Sequence, residues 1–493
     1  MLKFFLKNKY ALILIFFFGI SFAMHYKVFN VDIRGIHTWR QSQTMWNIRN
    51  FYRHDANILN PRVSHFNGGK DNIYRYEFPI MQWSIAMLEK VFGERISVVR
   101  ISIFIIGLIS VIFFYLLLQV LGLNKLAAFG GTILFQFSPV FYYYNINPIP
   151  DNLALMGGVM YLYFIFIYIK NKKLSYLIWA SIAILISTFA KLPFLMFSII
   201  SIVYFIKSIF IRKKISRELF AFALIQFIFL LPAFLWYAWV MPGWTGNPIL
   251  TGIFKNSIPF NKIIEIISYH IRVMFPFILL NPSSWLFLVF SIIFYKKWQE
   301  YKNYAIYIIA LIIITFLYFI LEFNAIGTVH DYYMMPFLPW LYILVSIGID
   351  FLIKINWKIA KAIIYILIFI SPFFAYSLDK DNWSIEKSYF NQDVFKYKKQ
   401  LKNAVPQNEQ CIILNDKSYY VFSYQIDKMG HIFNNDYLPI GWIDDMVKNF
   451  GIKYMYSDSR KIDTSAAFQP YIDSLILQAG SVKVFKLKSK LYK

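Results

Sequence analysis

The sequence predicts a mainly α-helical, polytopic membrane protein with a small α/β domain at its C-terminal end. Three observations carry this. Hydrophobic residues make up 58% of the 493-residue chain and charged residues only 15%, against about a quarter charged in soluble domains; mean hydropathy is +0.51. Apolar runs near the roughly 20 residues that a bilayer core requires recur between residues 10 and 377, and from residue 378 they give way to a stretch of ordinary polarity.

The runs place membrane spans near 10 to 28, 97 to 121, 126 to 144, 152 to 170, 174 to 190, 192 to 211, 219 to 240, 281 to 295, 304 to 322, 332 to 353 and 359 to 377, about eleven in all. Alternating them puts Lys3, Lys7 and Lys9, then Lys125, Lys170 to Lys173, Arg212 to Arg217, Lys296 to Lys302 and Lys354 to Lys361 on one side. Basic clusters are retained in the cytoplasm, so that side is inside. The first run, with Lys residues ahead of it and only a weak small-x-small site at Ser21 and Ala23, reads as an uncleaved signal anchor with a cytoplasmic N-terminus.

The same alternation sends residues 25 to 95, the 145 to 151 turn, Lys191, residues 241 to 280 and the 327 to 331 turn to the outer face. The first of these is far longer and more charged than a connector requires. It carries Trp- and Tyr-rich helical patterns, one of them after Pro79, and reads as an active-site cap with juxtamembrane helices. Two domains follow: a transmembrane domain over 1–377 and an extracytoplasmic α/β domain over 378–493. In the latter, helices are expected at 392 to 404, 419 to 426, 442 to 450 and 466 to 479, and strands at 411 to 414, 452 to 456 and 482 to 487.

The net charge of +24 does not point to nucleic acid, because the basic residues sit in short loops between apolar runs rather than among stacking aromatics on a polar domain. A single cysteine, Cys411, excludes an intramolecular disulfide and a thiolate metal cluster. The sequence has no Gly-rich phosphate loop, which argues against a nucleotide-driven transporter.

Ionisable groups at membrane depth are costly, so they mark function or pair with one another. Glu77, just before Pro79, is either a dipole-favoured residue near a helix start or a reactive carboxylate. Asp32 is either a solvated residue outside the first span or its partner; both share a loop with His37 and Arg40, which brings carboxylate, imidazole and guanidinium into one segment. Asp151 suits the N-cap of the fourth span and equally a site for a metal ion or an acceptor group. Lys191 is the sharpest anomaly, a cation among apolar residues on the side where positive charge is not expected. It either snorkels to the headgroups or binds a lipid phosphate. His330 and Asp331 stand at the start of the tenth span.

With Arg100, Pro150-Asp151, Lys191-Leu-Pro193 and His330-Asp-Tyr-Tyr followed by Pro336 and Pro339, the chain resembles the polyprenyl-phosphate-dependent glycosyltransferases of the C-type membrane fold. These include the protein O-mannosyltransferases and the aminoarabinose transferase of lipid A. Members of that family carry an adjacent acidic pair early in the first loop; here Arg40-Gln41 stand in its place, so Asp32 or Glu77 takes the role of base. The resemblance implies sugar transfer from a polyprenyl-phosphate donor to a lipid, glycan or protein acceptor, in one inverting displacement on the outer face of a bacterial-type inner membrane. Asp32 and Glu77 are then the catalytic carboxylates, Arg40 and Lys191 the donor-phosphate ligands, and His37, Asp151, His330 and Asp331 the acceptor or supporting groups. No cofactor is required outright; a divalent metal ion on Asp151 and Glu77 is the one the carboxylates leave open. The rival from another class is a secondary transporter or flippase for a lipid-linked or anionic substrate. Transporters place ionisable residues near the midplane in repeated halves, whereas no repeat is seen here and the polar residues gather on one side.

Overall fold

The computed structural model describes residues 9–66, 69, 71–244 and 258–488. Lys3 and Lys7 of the N-terminal basic cluster, and part of the 241 to 280 stretch, lie outside the described residues. The chain forms two compact units: one drawn from Met1–Phe29, Tyr76–Met81 and Val99–Lys380, the other from Asn30–Arg75, Gln82–Val98 and Asp381–Lys493.

The first unit is helical. Among the described residues, seven helices are long and apolar enough to cross a membrane, or eight if a bent pair counts as one span. Helices Leu12–His25 and Leu174–Ala190 are apolar but shorter. The expected eleven are thus not all present as single long helices. The 126 to 144 run divides into Lys125–Gln136 and Pro139–Tyr144, because Pro139 has no N–H to continue the ladder. The stretch read as an outer loop before residue 281 contains helical residues 260–279, which meet the Pro282–Ile293 segment at 92°. Buried Asn281 holds that bend: its amide donates to Phe137 O and Ser371 O, both at 2.8 Å, and its Oδ1 accepts from Ser283 N–H at 3.0 Å.

Asp151–Asn171 and Leu174–Ala190 form an antiparallel helical hairpin, turned at Lys172 with φ 57°. Gly157 permits the close approach, since a Cβ there would stand 2.8 Å from Ala183 O and Ser187 N. Ser187 Oγ adds a bond to Ala154 O at 2.7 Å. The hairpin brings the start of one helix and the end of the next to the same level. That places Asp151 beside Lys191.

The second unit is built on a five-stranded sheet. Its strands are β1 (Cys411–Leu414), β2 (Gly430–Phe433), β3 (Tyr454–Ser457), β4 (Ile472–Ala479) and β5 (Val482–Leu487), in the order β2-β1-β3-β5-β4. β1 pairs in parallel with β2 and β3; the β5 pairings are antiparallel. Successive residues of β1 face opposite sides, so Cys411 and Ile413 enter one apolar cluster with Phe422 and Val484, and Ile412 and Leu414 another with Ile443 and Met455. The expected helix at 466 to 479 is a correction: Ile472–Ala479 is a strand. Its apolar residues at 472, 475 and 476 mimic helical spacing, but Gly480, at φ 61°, turns the chain into a hairpin with β5. Strand β2 had no sequence expectation.

Much of the stretch at 25 to 95, read from the sequence as an outer loop, belongs to this unit. Its helix Thr38–Arg53 packs through Trp46, whose indole N–H donates to Ser423 Oγ at 3.3 Å. Asp427, only 2% exposed, receives Arg49 at 2.7 Å, Arg53 at 2.9 Å and Lys402 at 2.8 Å. Burial alone would push the Asp427 carboxyl up, but these three cations hold it well below the usual carboxylate range.

Candidate active site

Glu77 is held by the backbone on either side of it. Trp236 donates its indole N–H to Tyr76 O at 3.1 Å, and Phe78 N–H donates to Phe189 O at 3.1 Å. The Phe78 ring stacks on Phe189 at 4.4 Å and meets Trp236 edge-on at 5.0 Å. Helix Ile80–Phe92 begins directly after Pro79, as the proline predicts.

Lys191 follows the last residue of helix Leu174–Ala190 in extended conformation and leads into the 3₁₀ turn Leu192–Ser198. Its side chain is 12% exposed, and Nζ stands 3.7 Å from Asp151 Oδ2. The ammonium also lies 4.8 Å from the Tyr333 ring centroid and 5.9 Å from that of Tyr332, close enough for cation–π attraction. Asp151 is therefore not the helix cap expected of it: Pro150 occupies the N-cap, Asp151 is the first helical residue, and its carboxylate faces Lys191.

Glu77 and Lys191 line one cavity of about 350 Å³, together with Glu322, Tyr237, Tyr318 and Tyr333. The remaining wall is apolar, formed by residues such as Leu192, Met196, Ile314, Leu317 and Leu321. Tyr237 OH donates to Thr188 O at 3.0 Å and Phe189 O at 3.2 Å, and Tyr318 OH to Tyr333 O at 3.1 Å, so the aromatic walls are tied to the loops that carry Lys191 and Tyr333. The cavity thus combines charged groups with a largely apolar wall. Glu322 had no place in the sequence expectations; its only signal was an acidic residue directly after an apolar span.

His330 and Asp331 precede Tyr333. His330 Nδ1 bonds Ala325 O at 2.6 Å, and its ring stacks on Tyr333 at 5.4 Å. Asp331 accepts from Tyr144 OH at 2.6 Å. Both fix the segment that presents Tyr333 to the cavity; neither makes a side-chain cap. Arg100 is fully buried and donates to Asn147 Oδ1 at 2.6 Å and Ile146 O at 3.1 Å, bracing the turn before Asp151.

Asp32, His37 and Arg40 fall in the second unit. Asp32 Oδ1 accepts from Tyr424 OH and from Ile33 N–H, each at 2.7 Å, and Oδ2 pairs with Lys398. Arg40 is buried, with Nη1 bonded to Gln43 Oε1. His37 adopts φ 51° just before helix Thr38–Arg53. Among the described residues no group of three or more His, Cys, Asp or Glu is placed to hold a metal ion. Asp151 and Glu77 do not make such a donor set between them, and Asp151 already faces an ammonium.

Residues 77–236 match the family model described as dolichyl-phosphate-mannose-protein mannosyltransferase, a segment that contains Glu77, Asp151 and Lys191. No curated protein matches the sequence. Among solved structures, the fold is similar to ArnT from Cupriavidus metallidurans in the apo state, with TM-score 0.63, 12% identity, and coverage of 97% of this chain and 98% of that one. The same enzyme bound to undecaprenyl phosphate gives TM-score 0.62, 11% identity, and coverage of 97% and 99%. The oligosaccharyltransferase AglB from Archaeoglobus fulgidus, in complex with an inhibitory peptide and a dolichol-phosphate, gives TM-score 0.53, 11% identity, and coverage of 92% and 70%. The segment that carries Glu77, Asp151 and Lys191 thus matches the protein-mannosyltransferase family model, and along the whole chain the fold is similar to that of ArnT.

Proposed function

We propose that the protein transfers a sugar from a polyprenyl-phosphate donor to an acceptor hydroxyl or amine at the Glu77–Lys191 cavity. The observation that carries this reading is the combination, in one cavity, of charged groups with a largely apolar wall. Lys191 receives the departing phosphate, for which a compact ammonium is a suitable ligand. Glu77 takes the proton from the acceptor as its oxygen or nitrogen attacks the anomeric carbon and the bond from that carbon to the phosphate oxygen breaks. One displacement inverts the anomeric centre. The apolar wall takes the isoprenoid chain. The polyprenyl phosphates in the ArnT and AglB structures support the donor class.

Asp151 supports Lys191, and His330 and Asp331 support the Tyr333 segment. Asp32 is the competing base, and Asp32→Asn set against Glu77→Gln decides between the two. A divalent ion on Asp151 and Glu77 would need oxygens from the substrate phosphate to complete its ligands; titration of transfer with a chelator tests that. The N-terminus is cytoplasmic and the unit that includes residues 381–493 is extracytoplasmic, in a bacterial-type inner membrane, by the basic-loop bias. Purified protein in nanodiscs with a radiolabelled polyprenyl-phosphate sugar and a membrane-extract acceptor tests the activity: label transferred to the acceptor supports it, and movement of intact donor between leaflets without transfer favours a flippase.

A further inference from the structure

The second unit has a groove of its own, about 490 Å³ in volume, between the end of β2, the loop at 434–439 and helix Ile440–Asn449. That size falls within the roughly 300–1,000 Å³ of small-molecule sites. We propose that this groove binds a neutral saccharide, as a site separate from the transfer cavity and independent of the reading of that cavity.

The residues favour a sugar ring over other ligands. His431 lies at the groove wall, 4% exposed, and among the described residues its Nε2 has no hydrogen-bond partner. A buried polar nitrogen left unbonded costs roughly 1–3 kcal/mol, a cost that a ligand hydroxyl in the groove would remove. Burial lowers the imidazole pKa, so the ring is neutral at pH 7 and, by tautomer, can donate to a hydroxyl or accept from it. Phe450 packs edge-on against the His431 ring at 4.7 Å and holds it in place.

Trp442 and Tyr437, 57% and 66% exposed, offer aromatic faces at the mouth. Such faces suit the C–H surface of a pyranose as well as any apolar ring. Asp445 lies one helical turn after Trp442, on the same face; it lines the groove and its Oδ1 accepts from Asn449. Asn435 accepts from Tyr437 N–H at 3.1 Å, which shapes the loop. Among the described residues no Lys or Arg lines the groove, so none supplies an anion with a countercharge there. A polyol satisfies imidazole, carboxylate and aromatic face at once.

Saturation-transfer difference NMR on the full-length protein in nanodiscs tests this with three probes: methyl α-D-mannopyranoside, methyl β-D-galactopyranoside and N,N′-diacetylchitobiose. The expected result is saturation of ring protons of at least one probe, reduced fivefold or more in both Trp442→Ala and His431→Phe. Trp442 is exposed, so its variant stays folded even if the buried His431→Phe does not. Absence of saturation for all three probes with wild-type protein, or equal saturation in Trp442→Ala, would overturn the proposal.

Discussion

The Lys191 ammonium and the Asp151 carboxylate face each other at 3.7 Å, with side chains 12% and 1% exposed. The helical hairpin brings them together, and the pairing changes what removing the lysine should do. Breaking a buried ion pair from one side leaves the other charge uncompensated, at a cost of about 3–5 kcal/mol. Lys191→Met alone should therefore lower thermal stability as well as donor use. The double variant Lys191→Met/Asp151→Asn should recover most of the stability and none of the donor use. Melting curves and initial transfer rates separate the two effects; a fully active single variant with a wild-type melting curve would show that Lys191 neither binds the donor nor stabilises the fold.

Glu77→Gln should lower the transfer rate by roughly 10²- to 10⁴-fold, the usual loss for a general base, with little change in melting temperature. Asp32→Asn keeps an oxygen to accept from Tyr424 OH and Ile33 N–H, and should cost transfer far less. A larger loss in kcat for the Asp32 variant would move the base to Asp32.

Glu89, 1% exposed, accepts from Arg95 N–H at 3.2 Å. Burial, reinforced by the nearby Glu94, pushes its carboxyl up from 4.5 to about 7. The folded state thus holds a proton that the unfolded chain releases earlier. By linkage, Glu89 contributes its full stability below pH 4.5, and that contribution is lost as pH rises towards 7. Glu89→Gln removes this loss, so the variant should melt above wild type at pH 8 by at least roughly 2–4 °C and by much less at pH 4.5. Equal differences at the two pH values would show that Glu89 does not titrate in this window.

Reporter fusions after Lys173 and after Lys380 should report opposite sides of the membrane, cytoplasmic for the first and extracytoplasmic for the second. Matching signals would remove the basis for the orientation.

The sequence made the helical membrane part and the small α/β domain legible, because apolar runs and their end at residue 378 follow directly from solvation. It also singled out Glu77, Asp151 and Lys191, since an ionisable group among apolar residues is visible without coordinates. Pairings across the chain were not visible. Asp32 has no local sign of Lys398 or Tyr424, and Asp151 resembles a cap until the hairpin places Lys191 beside it. Glu322 escaped notice because a carboxylate directly after a span is ordinary until Ile314, Leu317 and Lys191 surround it in one cavity. Strand β4 was missed because i, i+3, i+4 spacing outweighed the hairpin geometry at Gly480.

The most direct test of the central claim is photo-crosslinking with a polyprenyl-phosphate sugar that carries a diazirine near the first isoprene unit, mapped by peptide mass spectrometry. The cavity reading predicts label on the segments 192–196 and 314–321, suppressed by unmodified undecaprenyl phosphate and weakened in Lys191→Met/Asp151→Asn. Specific, competable label confined to other segments would contradict it.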